Sequence, residues 1–510
     1  MSDSPSDPER PGRWVGAHVA RRAALSPDRT ALIDTPTGRR FSYADLDARA
    51  NRTVRFLRAH GLEAGDRVAV LSRNRPALVD LYLGTGKRGA VLAPLSHRLA
   101  VPEVAELLST VDPSLVVAED RFSADAAAAL DRIETDCPTV ELGDGQSWAE
   151  TLPDDDSDVE TPALSTADPH LLLHTGGSTG TPKETVLSHG AIVWNAHNTI
   201  TAWGLRGDDV TPLTFPMFHT GGWNVITVPL FLVGGTVAIA REFDPGDVLE
   251  SIDSEGASVL VAVPAVLRAM TDHDDWARTD LSSLRVVKSG GGPCRQSVMA
   301  AYWDRGVDLS QGYGLTECGP NNFAMPDDWP REKADSVGVP APHVDARIVD
   351  EDGAELPPGD IGELELAGPH AASGYLDAPE ETAETFGGGW VSTGDLARVD
   401  AEGYYYIEGR KKDMFVSGGE NVYPAEVEDA IADHSAVSDV VVVPVEDDQW
   451  GQVGAAVAVT TGEMGIEDLR SFLEDRLARY KHPRSLTVVE ALPRSGPEKI
   501  DRQAAAELVE

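Results

Sequence analysis

Thr175-Gly176-Gly177-Ser178-Thr179-Gly180-Thr181-Pro182-Lys183 packs three glycines, three threonines, one serine and a lysine into nine residues. It comes after an apolar stretch, Leu171 to Leu173, that reads as a strand. Glycines let backbone N–H groups close around an anion, hydroxyls add donors and the lysine adds a charge, so the stretch has the chemistry of a polyphosphate cradle. It is not a Walker A loop, which needs Gly-Lys-Ser/Thr, because Thr181-Pro182 intervene before Lys183. A plain flexible loop would share this composition. The residues Gly176 to Gly180 also satisfy G-x-S-x-G, the nucleophile elbow of serine hydrolases. An elbow turns straight into a helix, whereas here Pro182 and the strand-like Thr185-Val186-Leu187 come next.

Upstream of the loop, helix and strand signals alternate. Ser42 to Asp45 reads as a capping box opening a helix that stops at Gly61. Strand is expected at 67–71, helix at 76–83, an apolar run at 90–95, helix at 101–111, strand at 115–118 and helix at 124–133. Strands separated by helices predict a parallel sheet covered on both faces. Residues 153–162, with the acid run Asp154-Asp155-Asp156, read as a solvated linker. Downstream, sheet pieces recur at 259–263 and 285–287. After about residue 340, short strands bounded by Gly and Pro (346–349, 362–366, 404–407) predict antiparallel structure. The final stretch reads helix 425–432, strands 437–445 and 454–459, helix 466–480 and strand 486–489. The expected fold class is α/β: a large N-terminal body of helix-covered sheets with a small β-barrel-like part, then a small mobile α+β lid. The expected divisions are a tail at 1–12, a body at 13–410 and a lid at 411–510.

The chain has 510 residues, 84 acidic against 43 basic, for a net charge of −41; only 8 of the basic residues are lysines. A field this negative repels phosphate backbones and anionic bilayers, which argues against a nucleic-acid partner. Acid excess with few lysines suits a protein of a very salty cytoplasm, where screening removes most of the self-repulsion. Cys137, Cys294 and Cys318 lack metal-ligand spacing. The start, Met1 to Gly12, has neither the basic end nor the apolar core of a signal peptide. The apolar stretch 225–240 is broken by Pro229 and Gly234-Gly235 and is too short to span a bilayer. A cytoplasmic protein without an integral membrane segment is the expectation; oligomeric state is not legible.

Other segments carry chemistry of their own. Tyr313-Gly314-Leu315-Thr316-Glu317 offers an aromatic face, a flexible glycine, a hydroxyl and a carboxylate. Gly290-Gly291-Gly292-Pro293 is a tight turn after a strand. Residues 216–223 bring His219 and Trp223 into an apolar stretch closed by Gly221-Gly222. A lone histidine there serves equally as a structural residue. Asp395, in Ser392-Thr393-Gly394-Asp395, is a carboxylate able to accept two hydroxyl hydrogen bonds, and Arg410 precedes the basic pair Lys411-Lys412.

Taken in order, these segments resemble the adenylate-forming superfamily of acyl- and aryl-CoA synthetases, luciferase and peptide-synthetase adenylation domains, along nearly the whole chain. The resemblance implies that Thr175, Gly176, Gly177, Ser178, Thr179, Gly180 and Lys183 bind the phosphates of ATP. It implies that Tyr313 stacks on adenine beside Gly314, that Gly291, Gly292 and Pro293 line the base, that Thr316 contacts phosphate and that Glu317 holds Mg²⁺. Asp395 and Arg410 would bind the nucleoside, while His219, Trp223 and Gly290 would line the acyl pocket. Lys412 would be the hinge, Gly418 and Gly419 would line the pantetheine tunnel of coenzyme A, and Lys499 would be the catalytic lysine bridging carboxylate and α-phosphate. The implied reaction is ATP-dependent ligation of a small carboxylic acid, fatty or aryl, to CoA through acyl-AMP. Loading of a carrier protein, and a catalytically impaired nucleotide-binding homologue, are the alternatives. The family usually carries glycine where this chain has Glu184 and Glu498. Glu184 is expected to join the solvated acidic surface, and Glu498 to pair locally with Lys499.

Overall fold

A computed structural model of the chain describes residues 15–143, 146–175, 183–417, 420–447, 450–462, 464–474, 476–494 and 500–509. The contacts divide the chain into two compact units. One holds residues 1–346 and 366–391, the other 347–365 and 392–510.

The centre of the first unit is a six-stranded sheet. Its order is Thr139–Leu142, Leu115–Glu119, Arg67–Leu71, Val91–Leu95, Pro169–Thr175 and Lys183–Ser188. All neighbours are parallel except the last two, which form an antiparallel hairpin. The helices between these strands, Pro76–Arg88, Val101–Val111 and Ser123–Arg132, are those of parallel crossovers. Val104, Leu107, Leu108, Val111, Ala126 and Ala129 bury against Leu71, Val91, Ala93, Val116 and Leu172 in one core. The capping box at Ser42 is present: its hydroxyl accepts from the Asp45 N–H, and the Asp45 carboxylate accepts from the Ser42 N–H. The helix it opens runs Tyr43–Ala59.

A three-stranded parallel sheet, Val259–Ala262, Val286–Ser289 and Leu309–Gln311, lies further along the same unit. The acid run at 154–156 is not a free linker. Arg52 donates to the Pro153 and Leu152 carbonyls, Asn51 to the Asp156 carbonyl, Arg55 to the Ser157 carbonyl and Arg58 to the Glu160 carbonyl. Four residues on one helix thus satisfy backbone acceptors that a free linker would leave to water.

The second unit carries most of a four-stranded sheet in the order Asp345–Val349, Gly362–Ala367, Val391–Val399, Tyr405–Arg410, whose strand ends at 345–346, 366–367 and 391 are counted with the first unit. It also carries a sheet built on the long antiparallel pair Val437–Asp447 and Gly451–Thr460, to which Ser485–Val488 adds in parallel. Val440 and Val442 face helices Pro424–Ala432 and Ile466–Leu473, whereas Val441 and Val443 face Leu492 and Ala505. The valine run is therefore apolar throughout because both faces are covered. The helix expected over 466–480 stops at Leu473. Leu477 and Tyr480 reach the same core from a turn and a 3₁₀ segment, Arg479–Lys481, so apolar residues there do not signal more helix. Among the described residues no helix is long and apolar enough to cross a membrane.

Candidate active site

The hairpin Pro169–Thr175 / Lys183–Ser188 frames the glycine-rich loop. Thr175 and Lys183 are directly opposed at its mouth; Gly176, Gly177, Ser178, Thr179 and Gly180 lie outside the described residues. The loop leads into a strand, and the next helix, His189–Trp203, begins only after Ser188, whose hydroxyl caps it. A nucleophile elbow needs the helix at once, so the hydrolase reading of G-x-S-x-G fails here.

Lys183 Nζ lies 5.2 Å from the ring centre of Tyr375, and the Tyr375 hydroxyl donates to Glu317 Oε1 at 3.0 Å. The lysine of the first motif and the glutamate of the second are thus brought to one tyrosine, the lysine at its ring and the glutamate at its hydroxyl. Glu317 sits in a loop that leaves the Leu309–Gln311 strand and folds back tightly, with the Leu315 N–H on the Gly319 carbonyl at 3.2 Å. Gly314 is required there, since a Cβ would stand 2.1 Å from Pro320 backbone. Thr316 is buried in this loop, and the Tyr313 ring meets Phe323 edge-on at 5.9 Å.

Gly290 to Pro293 leave the C-terminal end of the neighbouring parallel strand, Val286–Ser289. The two loops are tied at their roots by the Gly312 N–H on the Ser289 carbonyl (2.7 Å) and the Cys294 N–H on Gln311 Oε1 (2.9 Å). Adjacent loops at the carboxyl ends of parallel strands are where open α/β sheets bind ligands. A magnesium ion carried on ATP phosphates asks little of the protein beyond one or two carboxylate oxygens. Glu317 is a partly exposed carboxylate with one oxygen held by Tyr375, and no cluster of three or more metal-ligating side chains exists among the described residues. The donor set fits such an ion.

The segment 216–223 is clamped by Asn74, which donates to the Phe215 carbonyl (2.8 Å) and accepts from the Met217 N–H (2.7 Å). Gly221–Val225 forms a single π turn, a deformation common at functional sites. It needs its glycines: a Cβ on Gly221 would meet the Phe215 ring at 2.6 Å, and one on Gly222 the Met217 backbone at 2.5 Å. Trp223 is fully buried, donates its indole N–H to the Met217 carbonyl and stacks on Tyr82 at 4.5 Å and 13°. Solvent reaches His219, yet the density of protein around it lowers its pKa. Its Nδ1 accepts the Gly221 N–H at 3.2 Å, which leaves the proton of the neutral ring on Nε2.

In the second unit Asp395 and Arg410 are cross-strand partners, Arg410 Nε lying 2.8 Å from Asp395 Oδ1. Asp395 is buried and Arg410 exposed. Lys411 pairs with Glu363 at 2.7 Å, whereas Lys412 is exposed on a short 3₁₀ turn. Gly418, Gly419 and Lys499 lie outside the described residues; Arg494 and Ile500 form an isolated antiparallel bridge.

Sequence reasoning passed over Tyr375, Asn74 and His174. Gly374-Tyr375 gave a weak signal at best, and Asn74 none, since its role depends on a segment distant in sequence. Glu184 corrects an expectation. It is not on the acidic surface but 1% exposed, with both carboxyl oxygens unpartnered among the described residues. With Lys183 turned to Tyr375, the Glu184 side chain leaves the strand on the opposite face, and this strand is covered on both faces, since Thr185 on Lys183's side is as buried as Glu184.

The AMP-binding enzyme model matches residues 19–376, and the AMP-binding enzyme C-terminal domain model matches 426–499. A feruloyl-CoA synthase of Amycolatopsis sp is 37% identical over 490 residues, covering 95% of this chain and 97% of that protein. An indoleacetate–CoA ligase of Aromatoleum aromaticum is 36% identical over 509 residues, 97% of each chain. Among solved structures, ATP-bound MatB from Rhodopseudomonas palustris superposes with a TM-score of 0.90 at 30% identity, covering 97% of this chain and 98% of that one. The glycine-rich hairpin, the Glu317 loop and the strand-end turns therefore belong to a shared architecture rather than to this sequence alone, and the chain is a member of the AMP-binding enzyme family, an AMP-forming acid–CoA ligase.

Proposed function

We propose that the acid this ligase activates is an aryl or arylalkanoic acid, and that the chain works in the cytoplasm, where ATP and CoA are at hand. One observation carries the choice of acid: the stacked, buried pair Tyr82–Trp223 behind the 216–223 segment, with the Phe218 ring between His174 (6.1 Å) and the Arg98 guanidinium (5.5 Å). A wall of flat rings suits an aromatic face better than a flexible chain. Two relatives whose names specify feruloyl and indoleacetate groups support the same reading.

In the first half-reaction the substrate carboxylate attacks the α-phosphorus of ATP and pyrophosphate leaves. There is little covalent work for side chains, so positioning and charge neutralisation dominate. The loop 175–183 and Lys183 hold the departing phosphates, Thr316 contacts phosphate, and Glu317 would hold a magnesium ion, which when bound would supply neutralisation of phosphate charge. Tyr313 and Gly290 to Pro293 receive the adenine, and Asp395 with Arg410 receives the ribose. His219, neutral with its proton on Nε2, offers a donor to the carboxylate without a competing charge. Lys499 stabilises the charge developing between carboxylate and α-phosphate. In the second half-reaction the lid, residues 411–510, turns at Lys412. It presents the 418–424 hairpin, and the CoA thiol attacks the acyl-AMP carbonyl with AMP leaving.

The test is acid-dependent ATP–pyrophosphate exchange in molar KCl, with cinnamic, indoleacetic, long-chain and short-chain acids, on the wild type and Lys499→Ala. Exchange strongest with aromatic acids and lost in the variant is the expected result. Exchange strongest with long-chain or short acids overturns the choice of acid.

A further inference from the structure

We propose that Tyr375 is a positioning residue that keeps the phosphate-loop lysine and the metal-binding carboxylate apart and aimed, its ring under Lys183 and its hydroxyl on Glu317. This rests on the proposed roles of Lys183 and Glu317 and adds a residue that those roles do not include.

The geometry is over-determined. Tyr375 forms an antiparallel bridge with Thr185, on the strand that leaves the phosphate loop. The pairing continues on both sides: the Val186 N–H donates to the Gly374 carbonyl, the Leu376 N–H to the Glu184 carbonyl and the Ser373 N–H to the Val186 carbonyl, at 2.8 to 2.9 Å. The same segment reaches the second motif, where the Ala372 N–H donates to the Glu317 carbonyl at 2.8 Å. The Tyr375 N–H is held by Thr382 Oγ1 at 2.9 Å, and its ring packs edge-on against Phe386 at 5.6 Å. Gly374 admits this approach at φ +133°, where a Cβ would stand 2.5 Å from Thr382 Cγ2.

An ammonium and a carboxylate this close to one ring would attract each other. No direct Lys183–Glu317 ion pair is present among the described residues; each instead contacts the tyrosine, the lysine at its ring and the glutamate at its hydroxyl. A direct pair would withdraw both groups from the nucleotide, Lys183 from phosphate and Glu317 from the cation. The ring offers the lysine a cation–π contact that leaves its donors available. The hydroxyl occupies one oxygen of Glu317 as a neutral donor and leaves the other oxygen to the cation.

Tyr375→Phe keeps the ring and removes the hydroxyl, whereas Tyr375→Leu removes both. ATP binding to the full chain is measured by calorimetry with EDTA and across a magnesium titration. Tyr375→Phe is expected to raise the magnesium midpoint about 3- to 10-fold while leaving affinity in EDTA unchanged. Tyr375→Leu is expected to weaken ATP in both conditions. The phenylalanine variant preserves packing and decides the test even if the leucine variant fails to fold. Glu317→Gln separates the two ideas. If it leaves the magnesium midpoint unchanged, the metal reading itself is wrong. If it shifts the midpoint and Tyr375→Phe does not, the tyrosine's role is refuted.

Discussion

Glu184 and His174 stand directly opposite each other on the hairpin that frames the glycine-rich segment, and neither the carboxyl oxygens of one nor Nδ1 of the other has a partner among the described residues. Side chains opposed in this way have Cβ atoms about 5 Å apart. Burial pushes the Glu184 carboxyl up to about 8, and burial, then the nearby His219, brings His174 down to about 4. At neutral pH both are uncharged, an acid facing an imidazole with no proton shared between them.

This sets a pH dependence whose sign can be worked out. Unfolded, Glu184 loses its proton near the ordinary 4.5; folded, it keeps it to about 8. Between these values the native state binds the extra proton, so stability falls as pH rises, by up to about 1.4 kcal/mol per pH unit. His174 acts oppositely below 6.5, where only the unfolded chain protonates. The clear window is therefore pH 6.5 to 8. Melting temperature is expected to drop across it in the wild type and to stay flat in Glu184→Gln, which should be the more stable protein at the upper end. A wild-type melting temperature that is level across the window would show that Glu184 is ionised in the fold.

Asn74 offers a different test, of the wall behind the proposed acid pocket. Asn74→Ala strands the Met217 N–H and the Phe215 carbonyl, at a cost of about 1–3 kcal/mol. Because those two residues flank Pro216 and lead into His219, KM for the acid is expected to rise several-fold while KM for ATP holds. Equal changes in both constants would mean that the clamp serves the fold and not the pocket.

Most of the first unit was legible because its signals are local. The capping box at Ser42, the strand at Arg67–Leu71 and the helix at Val101–Val111 each stem from periodicity and punctuation within a few residues. The motifs were legible for the same reason, as short runs of unusual composition. What escaped reading depends on contacts remote in sequence. Tyr375 matters because a strand pairing brings it to Lys183, and the arginines of one helix matter because residues 153–160 lie across them. Glu184 shows the opposite failure. In a chain of net charge −41 one more glutamate reads as surface, and only the packing of the folded hairpin, which buries residues on both faces of that strand, shows it to be inside.

That charge has a measurable consequence. At 0.1 M salt, repulsion acts over about 10 Å, and at 1 M over about 3 Å. Melting temperature is expected to rise steeply as KCl is raised from about 0.1 to about 2 M, with equal concentrations of NaCl acting similarly. A melting temperature that ignores salt would mean that ion pairs such as Arg73–Glu119 and Arg285–Asp209 already balance the repulsion locally.

Asp395 and Arg410 give the sharpest test of the nucleoside site, because the two roles of the carboxylate can be separated. One oxygen of Asp395 is engaged by Arg410 at 2.8 Å; in the proposed function the carboxylate also receives ribose hydroxyls. Asp395→Asn keeps the shape and an acceptor oxygen but removes the charge-assisted bonds, each worth about 1.5–3 kcal/mol. KM for ATP is expected to rise about 10- to 100-fold, with KM for the acid little changed. A structural role alone would lower the melting temperature and spare KM for ATP. Comparison with 2′,3′-dideoxy-ATP then decides the cause. If Asp395 binds the ribose, the analogue binds the wild type poorly and the variant no worse. If the analogue and ATP bind the wild type equally, the carboxylate holds Arg410 rather than the sugar.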